Sequence, residues 1–437
     1  MIDLPKGYEI RTRNFKKIVV ENKLGEGGQG AVYRVEYDGK AKALKWYSGL
    51  KFKNPKEFYA NLENNIKKGK PTRAFLWPED LTEHRGTAFG YVMDLRPGEF
   101  RDFTQFLIGR EGFAGITAIT NAALQIVAGF RELHLKGYSY QDLNDGNFFI
   151  NPKTGEVLIC DNDNVSEYGK KSGIAGKPRY MAPEIVAKGA APSIKTDAYS
   201  LAVVLFLLWV GNHPLEGKSG TPVCMDAKSE RRIYGENPVF IWDPKDVSNR
   251  PVQGIHKGAI ARWLELPGYL QDAFVKAFSK EALLTDPMQR IIERDWLRIF
   301  IRMRAEVFKC SCGNVYFADP AEPNPCPACR KRADFTFYLK THRYNIPVHQ
   351  RTKLYSCQTE KDSEDFQTLV GEISAADGGF RLKNTSGKNW MVMEGSDTVS
   401  VESGADFELK NGLQVDFGGN TNARIVGCSE AGASEQI

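Results

Sequence analysis

Between residues 17 and 50, apolar and polar positions alternate in short runs, KIVVENKL, AVYRVEY and AKALKWY, separated by glycine-rich turns. A period of two over runs of this length predicts strands. From about 103 to 135 the apolar spacing becomes helical, in FTQFL and then ITAITNAALQIVAGFRELH, and it does so again over 196–210, 269–279 and in PKEFYANLENNIKKG. Between 306 and 335 the pattern gives way to Cys, Pro and short hydrophobic stretches. From 340 to 437 alternation returns with Gly and Asn turns, which predicts several short strands forming a small sandwich or barrel. The expected class is α+β. A β-rich front leads into a helical bulk, a cysteine segment (306–335) and a β-rich tail (340–437) whose last residues, SEAGASEQI, read as frayed.

Composition changes this picture little. The 437 residues are 42% hydrophobic and 26% charged, ordinary values for globular protein. A net charge of +5 makes no case for a nucleic-acid or membrane partner. The longest apolar run, Leu201 to Val210, is half of the roughly 20 residues needed to span a bilayer and reads as a buried core helix. The opening residues hold no apolar signal core, so the expected location is cytoplasmic. There, the eight cysteines are expected as free thiols or metal ligands.

Candidate chemistry starts at Leu24-Gly25-Glu26-Gly27-Gly28-Gln29-Gly30. Glycines at 25, 27 and 30 allow a hairpin to bring backbone N–H groups against phosphates, and the placement between two strands argues against a dinucleotide fold. Lys45 ends the next apolar strand, placed to hold α- and β-phosphates; the plain alternative is a solvated edge lysine. Further on come His134 to Asn147 with Tyr140-Gln141-Asp142, then Asp161-Asn162-Asp163 after a short apolar strand. Tyr180-Met181-Ala182-Pro183-Glu184, Lys195-Thr196-Asp197 and Asp286-Pro287-Met288-Gln289-Arg290 follow.

In that order, over about 285 residues, these segments resemble the protein kinase family, and in particular the eukaryotic-like Ser/Thr kinases of bacteria. The resemblance implies a bilobal fold with an N-lobe over 1–94 and a C-lobe over 95–303. It implies ATP with Mg2+ or Mn2+ as cofactors and protein substrates. Asp142 matches the aspartate that accepts the hydroxyl proton. Asn147 and Asp161 match the metal ligands, with Asp163 as a further candidate. Lys45 matches the phosphate-clamping lysine, and Glu63, or failing that Glu57, its helical partner. Met93 matches the gatekeeper, Asp94 and Arg96 the hinge, and Val32, Ala43 and Phe149 the residues sandwiching adenine. Leu24, Gly25, Gly27, Gly28 and Gly30 would cover the phosphates. Glu184 and Arg290 would form the lower-lobe ion pair, and Asp197 would brace the catalytic loop.

The sequence also departs from the family. Gln141 stands where an arginine usually reads an activation-loop phosphate, so loop phosphorylation is expected to be unnecessary. Between Asp161 and Glu184 the only hydroxyl residues besides tyrosines are Ser166 and Ser172. Asn144 replaces the usual lysine and Lys177 the usual threonine, which suggests that the two have exchanged places. Asp161-Asn162-Asp163 lacks the usual Phe and Gly and gains a second carboxylate, a potential ligand for a hard cation.

Cys310 and Cys312, then Cys326 and Cys329, form two close pairs with spacing suited to tetrahedral, structural Zn2+ in a zinc ribbon. Cys160, Cys224, Cys357 and Cys428 read as small buried hydrophobes. The tail resembles a forkhead-associated-like sandwich but lacks that family's Gly-Arg and Ser-x-x-His pair, which favours a docking role. The stretch Tyr234 to Pro251 resembles an insert of kinases that work beside a von Willebrand A-type protein and a metal-dependent phosphatase. Two other readings compete with an active kinase: a nucleotide-binding pseudokinase scaffold, and a kinase-fold enzyme acting on a small molecule.

Overall fold

A computed structural model describes residues 3–27, 30–48, 55–170, 176–220, 226–321, 324–333, 335–350, 352–376 and 378–428. Gly28, Ser172, Cys224 and the last nine residues, all named above, lie outside the described residues. The chain divides into two units: 1–114 with 121–297, and 115–120 with 298–437.

The first unit begins with β1 (Glu9–Arg11), β2 (Lys17–Glu26), β3 (Ala31–Tyr37), β4 (Lys40–Tyr47), helix α1 (Pro55–Lys68), β5 (Asp80–Leu81) and β6 (Phe89–Asp94). The strands form one antiparallel sheet in the order β1-β2-β3-β4-β6-β5. The two-residue repeat sorts β4 between the faces. Leu44 and Trp46 join Ile10, Ile18, Val20, Tyr33 and Val35 in one buried cluster. Ala43 and Tyr47 join Phe58 and Leu62 of α1 with Phe89, Tyr91 and Met93 in another. Lys45 lies between Ala43 and Tyr47 in this alternation and is therefore carried on the α1 side of the sheet.

The helical part follows: β7 (Arg101–Asp102), α2 (Phe103–Leu107), α3 (Ile116–Leu135), β8 (Tyr138–Tyr140), β9 (Phe148–Ile150), β10 (Val157–Ile159), β11 (Val165–Glu167), α4 (Pro183–Lys188), α5 (Ile194–Val210), α6 (Ala227–Arg231), α7 (Lys257–Glu265), α8 (Gly268–Ala277) and α9 (Glu293–Ala305). The short strands pair as β10-β9-β7 and β11-β8, which sets the loops after β8 and β10 side by side. Helix α5 starts in a capping box between Ser193 and Thr196 and is buried from Thr196 through Val210. The run Leu201 to Val210 is therefore core, as its length predicts. Among the described residues no helix is long and apolar enough to cross a membrane.

In the second unit, β12 (Val307–Lys309) and β13 (Val315–Phe317) form a hairpin. Then come β14 (Phe337–Lys340), β15 (Asn345–Pro347), β16 (Lys353–Tyr355), α10 (Ser356–Thr359), β17 (Leu369–Ala376), β18 (Gly379–Asn384), β19 (Trp390–Glu394), β20 (Asp397–Val401), β21 (Asp406–Glu408), β22 (Gln414–Asp416) and β23 (Asn422–Gly427). They make two antiparallel sheets, β15-β14-β23-β22-β19-β20 and β16-β17-β18-β21. Trp390 of the first lies against the second. A Cβ added at Gly371 would sit 2.9 Å from its ring and 3.2 Å from Leu382. Gly371 is thus required by close packing between the sheets.

Candidate active site

Lys45 is 4% exposed. Its ammonium donates to both oxygens of Asp163, at 3.0 and 2.9 Å, and to Asp161 Oδ1 at 3.2 Å. Tyr47 donates its hydroxyl to Asp163 Oδ2 at 2.5 Å. Burial alone would lower the Lys45 pKa, but the two carboxylates overcome it and raise it above the usual lysine value. Asp163 is fully buried, whereas the Asp161 side chain is 45% exposed. Asp161 adopts φ 57°, ψ 41°, a left-handed conformation that is uncommon outside glycine and concentrates at functional sites. The loop is pinned beside it, because buried Asn162 donates to the carbonyls of Leu76 and Ile159 at 2.8 and 2.9 Å. Here hydrogen bonds do the work for which the resemblance implies an aromatic ring.

The helical glutamate expected to partner Lys45 is not where the resemblance implies. Glu63 does not pair with Lys45; it binds Arg13 at 3.0 Å and Lys67 at 3.5 Å, and its side chain is 36% exposed. Glu57, the fallback, lies on the exposed first turn of α1. The cause is helical phase: Phe58, Leu62 and Asn65 form the buried stripe of α1, and neither glutamate falls on it. Asp163, the further metal candidate, has both oxygens engaged by Lys45 and Tyr47.

Asp142 follows β8 directly. Its Oδ1 is buried without a hydrogen-bond partner. Burial raises its pKa to about 6, against the opposing pull of Lys177. Asn144 donates to the Asp142 carbonyl at 3.0 Å and accepts from the Lys177 ammonium at 3.0 Å. The suggested exchange thus corresponds to a direct contact. Asn147 donates to the Tyr140 hydroxyl at 2.8 Å, and that hydroxyl donates in turn to the carbonyls of Cys160 and Asp161. This leaves Asn147 Oδ1 as the atom a cation could use. Gln141 donates through Nε2 to Ser166 Oγ and to the Lys170 carbonyl. An uncharged amide therefore ties down the start of the loop after β11 where a phosphate-reading arginine usually stands.

The glycines divide into two kinds. A Cβ at Gly30 would meet the Trp46 carbonyl at 2.6 Å, so β4 itself requires a glycine there. Gly25 and Gly27 face open space, with no positive φ and no neighbour within 4 Å of an added Cβ. The fold does not need them; a ligand's phosphates would use the room. Leu24 beside them is 49% exposed. Val32 packs against the cluster of buried Ala43 and Met93, together with Leu158 and Cys160, which sequence reasoning missed. Arg96 stacks over Phe149 at 4.3 Å. Asp94 directs its carboxylate to Lys42 and Lys70, at 2.7 and 3.1 Å, so only its backbone is available as hinge. Tyr47 was also missed, although its place two residues after Lys45 on a strand puts both on one face.

Around the site stands a buried ionic frame. Arg290 forks onto Glu184 at 2.8 and 2.7 Å and donates to the carbonyls of Lys195 and Ala282. Asp197 accepts from Tyr140 N at 2.6 Å and lies 3.0 Å from His134, whose other ring nitrogen is 2.7 Å from Glu293. Burial alone would lower the His134 pKa, but Asp197 and Glu293 together raise it to about 9.

In the second unit, Cys310, Cys312, Cys326 and Cys329 bring their sulfurs within 4.8 Å of one another. Two tight turns present them. Gly313 N donates to the Cys310 carbonyl and Arg330 N to the Cys326 carbonyl, both at 2.8 Å, with Gly313 and Arg330 at positive φ. Asn314 Nδ2 lies 3.5 Å from Cys326 Sγ. Of the other cysteines read as small buried hydrophobes, Cys357 is buried, whereas Cys160 and Cys428 are only partly buried.

The protein kinase domain family matches residues 18–297, well over half of the chain. The ovarian-specific serine/threonine-protein kinase Lok of Drosophila melanogaster is 28% identical over 182 residues, 40% of this chain and 37% of that protein. Protein kinase C delta type of Mus musculus is 27% identical over 227 residues, 48% and 32% of the two chains. The serine/threonine-protein kinase plk-2 of Caenorhabditis elegans is 33% identical over 102 residues, 22% and 15%. The chain thus spans well under half the length of these relatives.

Proposed function

Since this chain belongs to the protein kinase family, we propose that it is a Ser/Thr protein kinase using ATP and Mg2+, or Mn2+ in its place. The observation that carries this reading is the convergence of Lys45, the half-exposed Asp161 and buried Asn147 beside Asp142, under a turn whose Gly25 and Gly27 leave room for phosphates. Bound nucleotide and cation would supply the transferable phosphoryl group and neutralise its charge. Lys45 holds the phosphates. Asp161 and Asn147 Oδ1 offer hard oxygen donors suited to magnesium. Asp142 accepts the proton of the attacking Ser or Thr hydroxyl. Lys177 brings a positive charge to the same loop through Asn144. Val32, Ala43, Met93 and Phe149 enclose adenine, with the backbone of Asp94 and Arg96 as hinge. All four polar groups the chemistry needs are present, which favours an active enzyme over a pseudokinase scaffold.

The four clustered thiols suit one structural Zn2+, because they leave no open coordination position. Such a site fits a reducing compartment such as the cytoplasm. The stretch Tyr234 to Pro251 extends the proposal to a von Willebrand A-type protein and a metal-dependent phosphatase as partners. The test of the central reading is phosphotransfer from labelled ATP into lysate proteins, wild type against Asp142→Asn. Transfer at the wild-type rate by the variant would sink it. Elemental analysis tests the metal: about one zinc per chain, lost in Cys326→Ser, is the expected result.

A further inference from the structure

The lysine that meets the phosphates needs a fixed carboxylate, since an ammonium on a four-carbon stem has no preferred direction of its own. The helix that was expected to supply this carboxylate does not. The inner stripe of α1 is Phe58, Leu62 and Asn65, and the helix meets the segment after Asp163 through asparagine amides and through Lys68, which pairs with Glu167 at 2.6 Å. Asn61 and Asn65 both donate to the Val165 carbonyl, at 2.7 and 3.0 Å. Glu63 is held on the outside by Arg13. Meanwhile Asp163 is fully buried, receives Lys45 on both oxygens and is fixed by Tyr47, which packs edge-on against Phe58 at 5.4 Å.

We propose that Asp163 is the positioning carboxylate of Lys45, doing from the loop after β10 what a helix glutamate was expected to do. The division of labour follows from burial: Asp161 faces the cleft and remains available, while Asp163 is enclosed and acts only through Lys45. The lysine clamp is then set by the loop that also carries Asp161, and no glutamate on α1 is needed to complete it. This inference rests on the nucleotide-binding reading above and extends it.

The test uses the full chain and fluorescent mant-ATP and mant-AMP in EDTA, so that a cation-ligand role is silent. Without Asp163, the Lys45 ammonium is left with Asp161 alone and collapses onto it. Asp163→Asn is therefore expected to reduce the preference for mant-ATP over mant-AMP at least tenfold. Glu63→Gln should move it less than twofold, and Tyr47→Phe, which removes one bond to Asp163, by about threefold. An unchanged preference in Asp163→Asn with an altered Mg2+ requirement for phosphotransfer makes Asp163 a metal ligand and overturns the proposal. If Asp163→Asn does not fold, the other two variants decide. A tenfold loss in Glu63→Gln, or no loss in Tyr47→Phe, overturns it; the reverse pattern supports it. Failure of the wild type to bind mant-ATP at all would instead overturn the kinase reading on which the proposal stands.

Discussion

Arg290 and Lys45 are both buried cations, 5% and 4% exposed, and both are held by carboxylates. Their surroundings differ in one respect. Arg290 is enclosed by Glu184 and by two backbone carbonyls, so its planar fork is almost fully used. Lys45 shares its charge between an enclosed carboxylate, Asp163, and a half-exposed one, Asp161. The first arrangement can only brace. The second can exchange a partner, because a phosphate arriving on the open side can replace Asp161 while Asp163 keeps the ammonium in place. A buried ion pair is weak evidence for function; one with an open side, near a carboxylate that has one buried oxygen without a hydrogen-bond partner, as Asp142 has, is much better evidence.

This comparison can be broken most directly at its open member. Lys45→Ala or Asp161→Ala is expected to lower kcat at least about 1,000-fold, roughly 4 kcal/mol in the barrier, measured by steady-state phosphotransfer, with the thermal midpoint changing little for Asp161→Ala. A residual rate within tenfold of wild type would remove the distinction between the clusters. At the closed member the expected effect is on stability. Glu184→Gln strands the Arg290 charge and should destabilise the first unit by about 3–5 kcal/mol, read from urea unfolding.

Titration of Asp142 sharpens the comparison further. Its folded pKa of about 6 lies above the ordinary value of 3.8, so the ionised form opposes folding and stability is lost as pH rises from about 4 to 6. Asp142→Asn should therefore raise stability at pH 7 by about 1–3 kcal/mol and not at pH 4, while abolishing phosphotransfer. For the wild type, kcat/KM should fall about tenfold per pH unit below 6 as the base is protonated. An acid limb near pH 4 would place Asp142 in a solvated environment. The smallest expected effect is at Ser166. Its hydroxyl is engaged by Gln141, and no arginine stands there to read a phosphate, so Ser166→Ala should leave the rate within about threefold. Phosphatase-treated chain that is inactive until rephosphorylated would contradict this.

What could be read from the chain follows a physical rule. The strands around Lys45, the helices α3, α5 and α8, and the buried run Leu201 to Val210 were legible because period and length are local properties. Asp142, Asn147, Asp161, Lys45, Glu184 and Arg290 were legible because each sits in a motif whose spacing is set by local backbone. The Cys310–Cys329 cluster was legible because two tight turns place its thiols by local geometry, and Lys177 facing Asn144 because an exchanged charge leaves a trace in both motifs. The partner of Lys45 was not legible. Its identity depends on the rotation of α1 about its axis when Phe58 and Leu62 are buried against Tyr47 and Phe89, and on how deep the loop after β10 sits. Both quantities are fixed by packing between separate segments, and Asp163 lies 118 residues along the chain from Lys45. The sequence by itself therefore determined which charged groups the cleft would contain. Only the tertiary structure decided which carboxylate is enclosed and which is open, because burial belongs to the packed core and not to any stretch of chain.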